Sequence, residues 1–272
     1  MTTAHRTIFQ VSPTASGSGV RLHRFTVDEY DRMAEHGVFG KNDPIELLDG
    51  RLAIKLDDGP PYGVPLGIPP SEFVGQTAEA FPQRRFTVAE YHKLLESQAL
   101  HPALRTELVE GWVVEKMTRN ARHDSTVQRA SEALGKRIGK KWKLRLQSAV
   151  TMDDGEPEPD IAVVPGPVGR FDDEHPRPSE VELLIEISDT TLRYDRGSKL
   201  RDYARNGIRR YLILNLVHNQ IEEYQDPSGP TDQPKYGSRH IYKHDDEVVL
   251  ELGGKRLKPI RVDEFIRPLP QR

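Results

Sequence analysis

Glu158-Pro159-Asp160-Ile161-Ala162-Val163-Val164 and Glu182-Leu183-Leu184-Ile185-Glu186-Ile187-Ser188 are the two segments on which the fold turns. Each is an apolar run with a carboxylate fixed near one end. Short apolar runs bounded by Pro, Gly and Asp read as buried strands. An unpaired carboxylate is costly to bury, so an acid on such a strand needs a partner. Two strands joined by a loop bring two acids together. Adjacent carboxylates are a common way to hold a hard divalent cation.

Working outward, the chain of 272 residues fits one large domain, or a domain with an appendage. Charged residues make up 30% of it, and no segment has the uninterrupted apolar length of a membrane span. The first residues carry no apolar core of a secretory signal. Cysteine is absent, which excludes disulfides, thiolate zinc sites and cysteine nucleophiles and suits a cytoplasmic protein. A net charge of -3 leaves any nucleic-acid contact to a local basic face.

Upstream lies an internal repeat. Arg24-Phe25-Thr26-Val27-Asp28-Glu29-Tyr30 recurs as Arg85-Phe86-Thr87-Val88-Ala89-Glu90-Tyr91, at an offset of 61 residues. At the same offset Glu46-Leu47-Leu48-Asp49-Gly50 aligns with Glu107-Leu108-Val109-Glu110-Gly111, and Lys55 with Lys116. An ungapped match of about 32 residues indicates an internal duplication. In each copy Thr26 or Thr87 is an N-cap, and Glu29 or Glu90 completes a capping box. Tyr30, Met33 and Ala34, or Tyr91, Leu94 and Leu95, form the apolar face of the helix. Asp49-Gly50 and Glu110-Gly111 then predict hairpin turns.

The expected organisation is a disordered leader at 1–20, a truncated duplicate helix-hairpin at 21–56, a Pro/Gly-rich linker at 57–84, and the main domain at 85–268. The duplicate stops before any carboxylate strand, so it reads as a structural appendage packed on the main domain or on a partner. In the main domain a helix is expected over about 123–138, with Val127, Ala130, Ala133, Leu134 and Ile138 inward. Arg129, Lys136, Arg137, Lys140 and Lys141, with Lys143 and Arg145 beyond, form the one dense basic stretch. It reads as a solvated helix face or as a surface for phosphates. Residues 145–150 predict a strand; 198–205 a helix closed by Asn206-Gly207; 210–216 and 220–225 paired strands; 262–266 a short final helix. The fold class is α/β (α+β): a mixed central sheet flanked by helices.

Asp160 opens one carboxylate strand, Glu186 sits near the end of the next, and Lys199 opens the following helix. Asp and Glu can hold Mg²⁺, which polarises a scissile phosphate and lowers the pKa of water. The main-chain carbonyl of Ile187 is a further oxygen donor. A lysine beside them orients that water or offsets charge growing on the phosphate.

With these residues in view, the run from Phe86 to Ile266 resembles the Uma-type putative restriction endonuclease family, a branch of the PD-(D/E)xK nuclease superfamily. The motifs that carry the likeness are Glu107 to Gly111, His123, Glu158 to Val164, Leu184 to Ser188, Asp195, Lys199-Leu200, Tyr203, Asn206-Gly207-Ile208 and Tyr211-Leu212-Ile213. The resemblance implies a restriction-endonuclease-like fold and Mg²⁺-dependent cleavage of DNA, with Mn²⁺ as a substitute. It implies that Asp160 is the acid of the Pro-Asp motif and Glu186 the acid of the (D/E)xK motif. Glu107 is implied as a further metal ligand. Ser188 stands where the superfamily lysine would be, and Lys199 takes over the role. Two other readings remain: an inactive module on the same fold that binds nucleic acid or protein, and an interaction protein that self-associates through the duplicated helix-hairpin. His123 reads as a capping or packing residue, Tyr203 as core, and Asp195 as a helix cap in preference to a residue that holds Lys199. DNA is the expected partner, no membrane is involved, and the dyad symmetry of duplex DNA favours a homodimer.

Overall fold

Two threonines begin the architecture. Thr26 and Thr87 each accept the backbone N–H of the glutamate three residues on, at 3.2 Å, and that glutamate returns to the threonine N–H. The computed structural model describes residues 20–40, 42–54, 66–67 and 83–267. Most of the expected leader and linker lies outside the described residues.

The first unit contains β1 (Val20–Leu22), α1 (Val27–Glu35), β2 (Ile45–Leu48), β3 (Arg51–Ile54) and β4 (Leu66–Gly67). The second copy enters through β5 (Gln83–Arg84) and continues with α2 (Val88–Glu96), β6 (Thr106–Val109) and β7 (Trp112–Lys116). The predicted turns close as hairpins, with φ of 46° and 73° at Asp49 and Gly50, and 50° and 76° at Glu110 and Gly111. Two consecutive positive φ values match the twist of antiparallel strands, and glycine takes the second without strain. The apolar helix face is narrower than the spacing suggests. Met33, Tyr91 and Leu94 are buried, whereas Ala34 and Leu95 face solvent.

The main domain follows as α3 (Ala121–Gly135), β8 (Trp142–Leu146), β9 (Ile161–Pro165), β10 (Leu183–Ser188), α4 (Leu192–Asp195), α5 (Ser198–Arg205), β11 (Arg210–Asn215), β12 (Gln220–Pro227) and β13 (Tyr236–Tyr242). Short strands β14 (Glu247–Val248), β15 (Glu251–Leu252), β16 (Lys255–Arg256) and β17 (Ile260–Arg261) precede α6 (Val262–Phe265). β8 starts and ends earlier than the strand expected over 145–150. Gln147, at φ 50°, turns the chain out of the sheet.

Six strands form one mixed sheet in the order β13-β12-β11-β10-β9-β8. Only β10 and β11 run parallel; the other neighbours are antiparallel. Both faces of its centre are buried. Ile161, Val163, Ile185 and Leu212 point to the cluster shared with α3 and α6. Ala162, Val164, Leu184 and Ile213 point to the cluster that contains Tyr203 of α5. This two-sided burial explains why the strands read as continuous apolar runs.

Candidate active site

Strand alternation puts the two acids together. β9 and β10 pair antiparallel, with Ala162 opposite Leu184. Extending that register by two residues sets Asp160 opposite Glu186, on the face covered by α5. Asp160 N–H lies 3.4 Å from Glu186 Oε2. Asp160 Oδ2 accepts the N–H of Ile187 at 2.9 Å, which locks the carboxylate against the end of β10.

α5 supplies the counter-charge. Lys199 and Tyr203 are four residues apart, so they share one helix face. Lys199 Nζ donates to Glu186 Oε1 at 2.8 Å, and Tyr203 Oη donates to the same oxygen at 2.6 Å. Lys199 Nζ also lies 3.3 Å from Glu107 Oε2. The lysine is 3% exposed, which settles its position as interior rather than surface. Burial works against its charge, but Glu107, Glu186 and Asp195 outweigh that and raise its pKa.

Glu107, on β6, is held from several sides. Its Oε2 accepts the N–H of Glu158 at 2.9 Å, and its Oε1 accepts Tyr194 Oη at 3.2 Å. Lys116 Nζ is 3.7 Å from Oε2. Burial would push this acid up, yet Lys199 and Lys116 hold it down at about 2. Glu186 differs: burial drives it up to about 7, Lys199 opposes the rise and Asp160 adds to it. Asp160 is lowered, because the hydrogen bond and charge of His123 and the Ile187 N–H outweigh burial.

Three further residues belong to the cluster. His123, on the first turn of α3, has Nε2 3.1 Å from Asp160 Oδ2. The cap of α3 is instead Asn120, whose Oδ1 accepts the His123 N–H at 2.9 Å. Asp195 is not a helix cap. It is buried in α4 and accepts the hydroxyls of Ser188 and Thr191, each at 2.6 Å. Ser188, where the resemblance led to the expectation of a lysine, donates to an acid instead. Tyr203 combines core packing with a bond to Glu186. The i, i+4 spacing of Lys199 and Tyr203 was the readable sign of it; Tyr194 gave none, because its partner is 87 residues away.

A cavity of about 80 Å³ is lined by Glu107, Lys116, His123, Asp160, Glu186 and Lys199. The donor set suits a hard cation. Asp160 Oδ1 accepts no hydrogen bond from the described residues, and the one contact on Glu186 Oε2 is long. Among the described residues no three His, Asp or Glu side chains converge as a complete cage. One or two carboxylates, completed by water and phosphate oxygens, is the usual way Mg²⁺ is held.

The basic stretch is not gathered here. Arg137 pairs with Glu264 at 2.8 Å, and Arg129 donates to the Phe265 carbonyl at 3.3 Å. Lys136 bonds Glu132 at 2.7 Å, and Lys141 lies over the Trp142 ring. At 1.5 Å per residue, Lys136, at the C-cap of α3, lies roughly 20 Å along the helix from His123. Beside Lys199, the Lys and Arg residues that line the cavity are Lys116 and Arg119. A neighbouring cleft shares residues 116–119 and adds Arg21 and Arg105. Among the described residues no helix is long and apolar enough to cross a membrane.

No curated protein matches the sequence. Among solved structures, the chain is similar to a putative nuclease belonging to DUF820 from Anabaena variabilis ATCC 29413. The identity is 14% and the TM-score 0.49, over 66% of this chain and 97% of that one. The model of the Uma2 family, described as putative restriction endonuclease, matches residues 88–256, which span every main-domain acid of the cluster, and the chain belongs to that family.

Proposed function

We propose that the protein is a divalent-metal-dependent endonuclease that hydrolyses phosphodiester bonds of DNA, with Mg²⁺ as the cation and Mn²⁺ as a substitute. The observation that carries this reading is the pairing of Asp160 and Glu186 across β9 and β10, with Lys199 bonded to Glu186 at 2.8 Å. Membership of the family supports a nuclease.

In this reading Asp160 and Glu186 hold the cation, through the two oxygens with spare lone pairs. A bound divalent cation supplies Lewis-acid polarisation of the phosphate. Lys199 stays protonated between Glu186 and Glu107, so it serves as a fixed positive charge rather than as a base. Preorganised charge of this kind stabilises the growing negative charge on a phosphate. Glu107 is assigned to the lysine, not to the cation, because its oxygens already receive Tyr194, the Glu158 N–H and Lys199. Tyr203 fixes Glu186, and His123 fixes Asp160. The phosphate contacts are assigned to Lys116, Arg119, Arg21 and Arg105, which border the cavity and its adjoining cleft.

The test is nicking of supercoiled plasmid with Mg²⁺ or Mn²⁺ by the wild type and by Asp160→Ala. Cleavage by the wild type alone supports the reading; equal residual cleavage, or none in either, overturns it. An inactive binding module is distinguished by calorimetry, in which Mg²⁺ would give no saturable heat.

A further inference from the structure

The two copies are joined by contacts that repeat in both directions. β1, the strand leading into the first copy, pairs with β7 of the second, with Leu22 opposite Val114. β5, the strand leading into the second copy, pairs with β3 of the first, with Gln83 opposite Ala53. Residues 22 and 83 are equivalent at the offset of 61, and so are 53 and 114. Each copy therefore lends its entry strand to the hairpin of the other, in one register.

The helices obey the same exchange. Arg32 Nη1 donates to the carbonyl of Gln98 at 3.2 Å, and Lys93 Nζ donates to that of Gly37 at 3.2 Å. Arg32 is equivalent to Lys93, and Gly37 to Gln98. Phe25 meets its own equivalent Phe86, with ring centroids 5.6 Å apart. The shared core is built from matched residues: Met33 with Leu94, Val38 with Ala99. Contact of i with j answered by contact of j with i defines an isologous interface, the kind that joins identical subunits.

We infer that this face is a dimerisation surface closed within one chain. The first copy occupies the place that the same repeat from a second chain would take. Two copies of the second unit would fit by the same operation, because in the strand, helix and ring contacts above the equivalents of two touching residues also touch. The first copy thus acts as a tethered half-dimer that saturates the surface. Its exchanged strand also brings Val20 to the wall of the site cavity. The inference is independent of the chemistry proposed above.

Full-length variants test it. Phe25→Asp puts a charge on the axis from the first copy's side and frees the face around Phe86. Phe86→Asp does the reverse. Each single variant is expected to double the wild-type mass in light scattering at the same protein concentration, by pairing through its intact face. Phe25→Asp/Phe86→Asp has no intact face and is expected to return to the wild-type mass. Single variants that keep the wild-type mass while folded by circular dichroism would overturn the inference. So would a double variant that stays doubled, since another surface would then be responsible. Loss of the folded signal in both single variants would overturn it as well, because the copies would be one indivisible core.

Discussion

Lys199 sits 2.8 Å from Glu186 and 3.3 Å from Glu107, and all three are buried. Removing one partner of a buried charge cluster leaves the others without compensation, at a cost of about 3–5 kcal/mol. Lys199→Met is expected to lose stability on that scale in urea unfolding. Lys199→Met/Glu186→Gln should recover part of it, since one orphaned charge is gone. A single variant as stable as wild type would contradict the assignment. Glu222 gives a test away from the site. It accepts Asn215 at 2.7 Å, Tyr224 at 2.8 Å and Arg239 at 2.8 Å, and it pairs with Arg196. Burial would raise its pKa, but these partners, Arg196 foremost, bring it from 4.5 to about 2. A lowered carboxylate stabilises the fold above its unfolded value and loses that contribution as pH falls through the folded one. The stability gap between wild type and Glu222→Gln should be full at pH 7 and shrink as pH falls from 4.5 toward 2. A gap that does not change with pH would refute it.

The hairpin is the element that carries Glu107. Gly111 has φ 76°, and a Cβ there would stand 2.8 Å from Cβ of Arg85. Gly50 repeats the situation in the first copy, with φ 73° and 2.9 Å to Arg24 Cβ. An L-residue in this conformation costs roughly 1–2 kcal/mol before any clash. Gly111→Ala and Gly50→Ala should both lower the thermal midpoint. Only Gly111→Ala should reduce nuclease activity at a temperature where both are folded, because β6 and β7 hold Glu107 and Lys116. Equal activity losses would contradict this division. Local elements such as these were legible in the sequence: the Thr-Glu capping boxes, the Asp-Gly and Glu-Gly turns, and the two apolar strands with their acids. The limits of β8 were not, because Arg145 to Val150 has strand-like residues and only the positive φ of Gln147 ends the strand.

At the scale of the molecule, sequence order was readable but convergence was not. Asp160, Glu186 and Lys199 stood out because acids and a lysine flank buried runs. Tyr194 did not, and Asp195 stood out only as a helix cap or a partner of Lys199, since what each does depends on which oxygen or hydroxyl it meets. The basic stretch was conspicuous for its density, yet Arg137 and Arg129 spend their donors on Glu264 and Phe265. Lys116 and Arg119, which line the cavity beside Lys199, belong to no charge run. The reciprocal fit of the two copies rests on the crossing of β1 and β5, which no local sequence pattern announces. One comparison bears on the whole scheme: the rate of plasmid nicking with Mg²⁺ by wild type and by Glu186→Gln. Glutamine keeps the shape and can still accept from Tyr203 and Lys199, but it cannot carry charge to a cation. The expected result is nicking by the wild type, stopped by chelation, and a folded Glu186→Gln slower by about 100-fold or more, the scale of a lost charge contact in a transition state. A wild type without activity, or a folded Glu186→Gln that nicks at the wild-type rate, would contradict it.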